Sequence, residues 1–138
     1  MAETMHLTVV TPEKVIYDDL AEAIVVRGSE GELGIFFDHA PLATRLGTGV
    51  LQIKTGKNFH PIAIGGGGFL EVLPKQVTVL ADAGEYPEEI DLERAEQAKK
   101  RAEERLTKAE SDPDIDFIRA KGALQRAVTR IKVAGGGE

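Results

Sequence analysis

The chain has 138 residues, enough for one domain with a real core or for one core plus a small appendage. It contains no cysteine, which excludes disulfides, thiolate metal sites and thiol nucleophiles, and its net charge of −6 argues against broad binding to nucleic acid. No apolar run reaches the ~18–20 residues that span a membrane, and the acidic start MAETMHLTVV lacks the basic region of a secretion signal, so we expect neither insertion nor export.

Up to about residue 83 the pattern is typical of short β-strands. Gly, Pro, Asn and Asp separate β-branched runs at the spacing of a sandwich or a barrel, and TGKN has the composition of a hairpin turn. The tetraglycine Gly65–Gly68 lacks the Lys-Ser/Thr of a phosphate-binding loop, so we expect it to allow close backbone packing or a bulge. The runs are HLTVV, KVIYDD, EAIVVRG, GVLQIKT, FHPIAIG, GFLEVLP and QVTVLADA.

After Glu85 the apolar period changes from two to 3.6 residues. Pro87 is suited to opening a helix, and the pattern predicts helices over about Asp91–Ala109 and Ile115–Val133. The stripe of the first helix is mostly alanine, and the second has a stripe from Phe117 to Ile131. Because the connection is short, the two helices should form an antiparallel hairpin. We therefore predict an α+β chain with a mainly β domain over residues 1–86 and a helical hairpin over 87–138.

The second predicted helix is unusual because it carries five basic residues and no acidic one between Phe117 and Val133. In an antiparallel hairpin, Asp91 and Arg94 approach Arg126 and Arg130 at the open end. Two interpretations remain open at this point: a solvated face on which Asp91 is an ordinary N-cap, or an anion site in which guanidinium groups bind phosphate. The five basic residues are Arg119, Lys121, Arg126, Arg130 and Lys132.

The sequence gives little support for a metal site or for a hydrolytic active site. His6, His39 and His60 lack the spacing of metal ligands, and no Ser/His/Asp set or spaced carboxylate pair is recognisable. We therefore expect a binding or regulatory module and no catalysis by the isolated chain.

Four segments occur in an order and spacing that closely resemble the epsilon subunit family of bacterial F-type ATP synthases. The similarity extends over essentially the whole chain, and EGELGI followed by His39 is its most specific part. The resemblance implies a ten-stranded antiparallel β-sandwich followed by a C-terminal α-helical hairpin. The segments are GSEGELGIFFDHAPL (Gly28–Leu42), GGFLEV (Gly67–Val72), VTVLADA (Val77–Ala83) and IDLERA (Ile90–Ala95).

The resemblance also implies a place on the central stalk of the rotor, peripheral to the cytoplasmic face of the bacterial plasma membrane. The sandwich would contact the gamma subunit and the polar loops of the c-ring, and Glu32 and His39 stand at the positions that resemble those contacts. FFDH departs from the Pro-Gly that usually precedes this histidine. The hairpin would permit ATP hydrolysis when folded down and inhibit it when extended toward the alpha and beta subunits.

Some members of this family bind ATP as a regulatory ligand in the folded-down state, through a motif that matches Ile90, Asp91, Arg94 and Ala95. The resemblance places Glu85, Ile90, Asp91 and Ala95 toward the adenosine. It places Arg94, Arg126 and Arg130 toward the phosphates, with Arg101 as a further candidate. Magnesium is not predicted.

Two alternatives to a synthase subunit are a stand-alone nucleotide sensor, in which a helical clasp closes on a β-sandwich, and an RNA-binding hairpin. The acidic remainder of the chain argues against RNA.

Overall fold

A computed structural model describes residues 3–135 as ten β-strands followed by two α-helices. No helix in that range combines the length and the apolar character needed to cross a membrane. The strands are β1 (Met5–Val10), β2 (Val15–Ala21), β3 (Ala23–Gly28), β4 (Gly31–Phe36), β5 (Leu42–Arg45), β6 (Gly49–Thr55), β7 (Asn58–Gly65), β8 (Phe69–Leu73), β9 (Gln76–Leu80) and β10 (Ala83–Glu85). The helices are α1 (Leu92–Ala109) and α2 (Phe117–Ala134).

The strands form two five-stranded sheets, with the orders β2-β1-β9-β8-β5 and β10-β7-β6-β3-β4. All pairings are antiparallel except that between β1 and β9, which is parallel. The chain leaves the first sheet after β2, returns to it for β5, crosses again to the second sheet for β6 and β7, and then returns for β8 and β9, where β9 pairs with β1 in the same direction. The predicted sandwich followed by a helical hairpin is confirmed.

The inner faces of both sheets bury an aliphatic core. In β1 the inward residues Met5, Leu7 and Val9 alternate with outward ones, as expected for strands with one buried face. Leu51 and Ile53 face them from the second sheet and are fully buried. At ~1.5–3 kcal/mol for each large aliphatic side chain, this core supplies most of the hydrophobic stabilisation of the chain.

Three strands of the structure, β4, β5 and β10, are not among the β-branched runs that the sequence pattern indicated. Strand β4 contains Gly31 and Gly34, which reduce its β signal, and β5 and β10 have only four and three residues. The TGKN turn does join β6 to β7, with Thr55 opposite Asn58 and Gly56 at a positive φ of 64°.

Asp residues set the start of both helices. The Asp91 side chain accepts a hydrogen bond from the Arg94 N–H at 3.1 Å, and the Asp116 side chain accepts one from the Arg119 N–H at 3.0 Å. Pro87 begins a 3₁₀ turn, Pro87–Glu89, rather than α1 itself. Ile90 has an extended backbone at the end of this turn, so the chain changes direction before Asp91.

Helix α2 lies between the sandwich and α1, because it packs on β6 and β7 while α1 makes its extensive contact with α2. The most buried positions of α1 are Ala95 and Ala102. Those of α2 are Ala120, Ala127, Thr129 and Val133. The predicted stripe of α2 is wrong at its first residue, because Phe117 is 54% exposed. A helix that buries two faces, one on a sheet and one on a helix, does not follow a single stripe.

The tetraglycine segment is packed closely against β9, and we predict that Gly68→Ala is destabilising. A Cβ at Gly68 would lie 1.5 Å from the Leu80 carbonyl oxygen, a backbone atom that cannot rotate away. We expect a loss on the order of 1–3 kcal/mol in urea unfolding. Gly34→Ala is the matched control in a strand, because its Cβ would meet only the Phe36 ring at 3.8 Å. Equal stability of the two variants would contradict the prediction.

Candidate functional site

A cavity of about 260 Å³ lies where the sandwich, the start of α1 and the end of α2 meet. Four elements of the chain contribute to it: β10, the segment that leads into α1, the first turn of α1, and α2. Its walls combine guanidinium and carboxylate groups with the aliphatic side chains of Ile90 and Ala95. The lining residues are Glu85, Glu89, Ile90, Asp91, Arg94, Ala95 and Arg130.

The segment before α1 is held in place by contacts with β2, with Lys14 just before β2, and within the segment itself. The Tyr86 hydroxyl donates to the Ile16 carbonyl at 2.8 Å, and the Tyr86 N–H donates to the Glu89 carboxylate at 3.0 Å. Lys14 Nζ lies 2.6 Å from the other oxygen of Glu89. Partial burial raises the pKa of Tyr86, so this hydroxyl stays protonated as a donor. These contacts fix the position of Ile90 and Asp91 relative to the sandwich.

An ion pair joins α2 to the sandwich at the edge of the cavity. Arg130 Nε donates to Glu85 Oε1 at 2.6 Å, and both side chains are partly exposed. Asp91 is engaged as the N-cap of α1. Arg94 and Arg126 form no ion pair with any of residues 3–135. The site therefore holds guanidinium charge that a bound anion can neutralise.

Six of the eight residues proposed for ATP line this one cavity, and two do not. Arg126 shares a neighbouring crevice with Glu85 and Arg130, and it also lines a groove between the helices together with Arg101. Glu89 lines the cavity but was not among the predicted site residues. Lys14, which contacts Glu89, was not predicted either. It lies 75 positions from Glu89 in the chain, so no local pattern could have indicated the contact between them.

The two residues expected at the rotor contact lie on different elements. Glu32 is exposed on β4, opposite Arg27 of β3, and lines a groove between the second sheet and α2. His39 follows β4, and its Nδ1 lies 2.7 Å from the Ala40 carbonyl oxygen. Asp38 before it has a φ of 64°, in the left-handed region that Asp tolerates better than most residues. This explains how FFDH turns without a glycine.

The part of the chain that the structure describes contains no group of three or more His, Asp or Glu side chains arranged to hold a metal ion.

Comparisons with known proteins decide the family. Residues 4–87 match the family model described as "ATP synthase, Delta/Epsilon chain, beta-sandwich domain", and residues 88–135 match its "long alpha-helix domain". The chain belongs to the ATP synthase delta/epsilon family. Members of this family that carry the name ATP synthase epsilon chain are a non-catalytic subunit of that complex.

Relatives from bacteria match over nearly their full length. The ATP synthase epsilon chain of Desulforamulus reducens is 46% identical over 134 residues, which cover 97% of this chain and 99% of the relative. That of Bacillus velezensis is 47% identical over 133 residues, which cover 96% and 98%.

Solved structures share the fold. A chain in the cryo-EM structure of Euglena gracilis mitochondrial ATP synthase, which comprises OSCP, F1 and the c-ring, superposes with a TM-score of 0.79 at 25% identity. The match covers 91% of this chain and 78% of that one. A chain of the central stalk and c-ring of the Tetrahymena thermophila enzyme has a TM-score of 0.54 at 16% identity, covering 97% and 96% of the two chains, and so shares the fold alone.

The contact between Lys14 and Glu89 predicts how stability depends on pH. The hydrogen bond from Lys14, and then that from the Tyr86 N–H, lowers the pKa of Glu89 below its ordinary 4.5. A carboxylate whose pKa is lowered by folding stabilises the protein above its ordinary value, and this stability is lost as pH falls through the lowered pKa. We expect Lys14→Met to lose less stability than the wild type when the pH falls below 4.5.

The measurement is thermal unfolding at a series of pH values. Lys57→Met is the control, because Lys57 is exposed in the β6–β7 turn and forms no ion pair with the described residues. Identical acid profiles for wild type and Lys14→Met would show that the contact does not persist in solution.

Proposed function

We propose that this chain is the epsilon subunit of a rotary, proton-translocating F-type ATP synthase, and that it regulates ATP hydrolysis through a mobile hairpin whose folded-down state binds ATP. The observation that carries the proposal is the cavity between the sandwich and both helices. A ligand there contacts Glu85 on the sandwich, Asp91 and Arg94 at the start of α1, and Arg130 on α2. A ligand that makes all of these contacts therefore binds only when the hairpin is folded down.

The chemistry of the cavity suits a nucleotide. Ile90 and Ala95 supply apolar surface for a base, and Arg94 and Arg130 supply planar donors for phosphate. Arg126, one helical turn before Arg130, extends the donors toward the groove between the helices. Glu85 already pairs with Arg130, so a triphosphate has to share or displace this contact.

An exposed row of side chains on the first sheet supports docking of the sandwich on the central stalk. The strand registers place Val15, Val10, Leu80, Phe69 and Arg45 side by side across the sheet. Val15, Phe69 and Leu80 are 60%, 53% and 48% exposed, and the Arg45 guanidinium lies 5.9 Å from the Phe69 ring centre. An apolar row of this kind is typical of a protein interface, and we propose the gamma subunit as its partner. We propose the polar loops of the c-ring as the partner of Glu32 and His39.

The basic residues of α2 support an extended state. Of its five cationic side chains, Arg130 alone forms an ion pair within residues 3–135. The other four are free to meet acidic segments of the alpha and beta subunits when the hairpin leaves the sandwich. Because ATP binds only the folded-down state, it shifts the population of the subunit away from the extended, inhibitory state. In the proposed role, the subunit lies at the cytoplasmic face of the membrane without entering it.

We predict that Arg126→Ala and Asp91→Ala weaken the binding of ATP to the isolated chain by about tenfold or more each, as the loss of a charge-assisted contact or of a helix cap requires. Asp91 has two roles, as the N-cap of α1 and as a negative charge. Asp91→Asn separates them, because asparagine keeps an N-cap acceptor and removes the charge. Calorimetry measures the affinities, and Lys121→Ala, exposed on α2, is the control. An affinity for ATP that is the same in Arg126→Ala as in Lys121→Ala would remove Arg126 from the site.

Removal of residues 88–138 tests the inhibitory role of the hairpin. The core cluster lies between Met5 and Ala81, so we expect the truncated sandwich to fold and to assemble with the synthase. The assembled enzyme should hydrolyse ATP faster than the enzyme with the intact chain, at equal incorporation of the subunit. An unchanged rate of hydrolysis would place inhibition outside the hairpin.

A further inference from the structure

A cavity of about 380 Å³ lies where the tetraglycine segment faces α2, and it is separate from the cavity at Asp91. We name it the glycine cavity after Gly65, Gly66 and Gly67, which form one side of it. Among the described residues that line it, only two are charged: Asp82, between β9 and β10, and Arg126 of α2. The glycine cavity therefore places a carboxylate opposite an arginine that the proposed function assigns to the phosphates of ATP.

The glycines provide the space in which these two side chains lie. A Cβ at Gly67 would be 2.2 Å from Asp82 Oδ2, so the carboxylate occupies the place that any other side chain would fill. The stem of Arg126 lies over Gly65, where a Cβ would be 3.8 Å from the arginine Cδ. The tetraglycine segment thus carries no side chain that could separate the carboxylate from the guanidinium.

The neighbouring pair of residues shows how this part of α2 meets the sandwich. Arg130 Nε donates to Glu85 Oε1 at 2.6 Å. Asp82 precedes Glu85 by three residues, and Arg126 precedes Arg130 by four, which is about one helical turn. Asp82 and Arg126 are therefore the next opposite charges along the same contact. Neither forms an ion pair within residues 3–135, so the positive charge of Arg126 is shared between this carboxylate and any anion that binds.

We propose that Asp82 limits the affinity of the ATP site by competing with the phosphates for the positive charge of Arg126. In the empty site, Asp82 stabilises the guanidinium across the glycine cavity, and this offsets part of the free energy that Arg126 gains from a phosphate. The inference rests on the proposed function, because it concerns the affinity of the site proposed there. It predicts that removal of a carboxylate from this region tightens ATP binding.

Asp82 is distinguished from the other carboxylates of this region because it does not line the cavity at Asp91. Glu85 lines that cavity and is paired with Arg130, and Asp91 is engaged as the N-cap of α1. Substitution of either one changes the site itself. Asp82 shares with the site only Arg126, so its effect on ATP passes through this one side chain.

The test is calorimetric titration of the purified full-length chain with ATP at low salt. Asp82→Asn keeps the shape of the side chain beside Gly67 and removes its charge, and we expect ATP to bind about three- to tenfold more tightly. Because Asp82 is exposed, the gain should shrink at high salt. Asp82→Ser, which also removes the charge, is the second variant, and circular dichroism establishes that both variants are folded.

The matched control is Asp19→Asn, which removes the same charge from an exposed position of β2. Asparagine retains the side-chain oxygen that accepts the hydrogen bond from the Leu20 N–H. We expect this control to change the affinity for ATP less than about twofold. An equal gain in Asp82→Asn and Asp19→Asn would mean that net charge alone is responsible, and would overturn the inference.

A double variant establishes whether Asp82 acts through Arg126. In the Arg126→Ala background, we expect Asp82→Asn to change the affinity for ATP less than about twofold. The same gain with and without Arg126 would mean that Asp82 acts on the nucleotide by another route, and this too would overturn the inference.

The same titrations separate the inference from the proposed function. If ATP binds the wild type and Asp82→Asn equally well, the inference fails and the proposed function stands. If ATP binds Asp82→Asn but not the wild type, and this binding requires Arg126, the proposed ATP regulation fails and the inference stands. Absence of ATP binding to all of these proteins would overturn both.

Discussion

The packing of α2 on β6 and β7 is the contact on which the rest of the hairpin depends. Helix α1 makes its extensive contact with α2, so it reaches the sandwich through α2 and through the short segment before Asp91. The cavity at Asp91 exists because this packing brings Arg130 to Glu85. If α2 leaves the sheet, the helix pair, the ion pair and the cavity are lost together.

The strength of that contact can be compared with the energy that a ligand supplies. Val133 is the one large aliphatic side chain of α2 that is fully buried, and burial of such a group contributes ~1.5–3 kcal/mol. Ala127 and Thr129 add little apolar area, and the Thr129 hydroxyl donates to the Gln125 carbonyl of its own helix at 2.8 Å. A ligand at one hundred times its Kd stabilises the state that it binds by about 2.7 kcal/mol. A ligand at that concentration therefore supplies a free energy similar to that from the burial of this one side chain, which is small beside that of the sandwich core.

Much of this arrangement was predictable from the sequence because it depends on local patterns. Alternating β-branched residues indicate strands, and Asp91 and Asp116 mark the starts of helices. The angular position of the arginines was less informative. Arg126 and Arg130 lie on one flank when viewed along α2, but four residues of rise separate them by about 6 Å. Both line the crevice beside Glu85, whereas Arg130 and not Arg126 lines the cavity at Asp91. The contact between Lys14 and Glu89 joins residues distant in the chain and depends on the strand order, which no single segment specifies.

The cavity at Asp91 connects ligand binding to the position of the hairpin. The cavity at Asp91 includes Glu85 of the sandwich, so an anion there stabilises docking of the helix pair on the sheet. Extension along a partner requires α2 to leave the sheet and its cations to face outward. The alanine seam lets the helices approach closely while burying little apolar surface, so little hydrophobic stabilisation opposes their separation. In this hairpin, helix propensity keeps the two segments helical, while the modest packing of α2 on the sheet and the Arg130–Glu85 ion pair hold them against the sandwich.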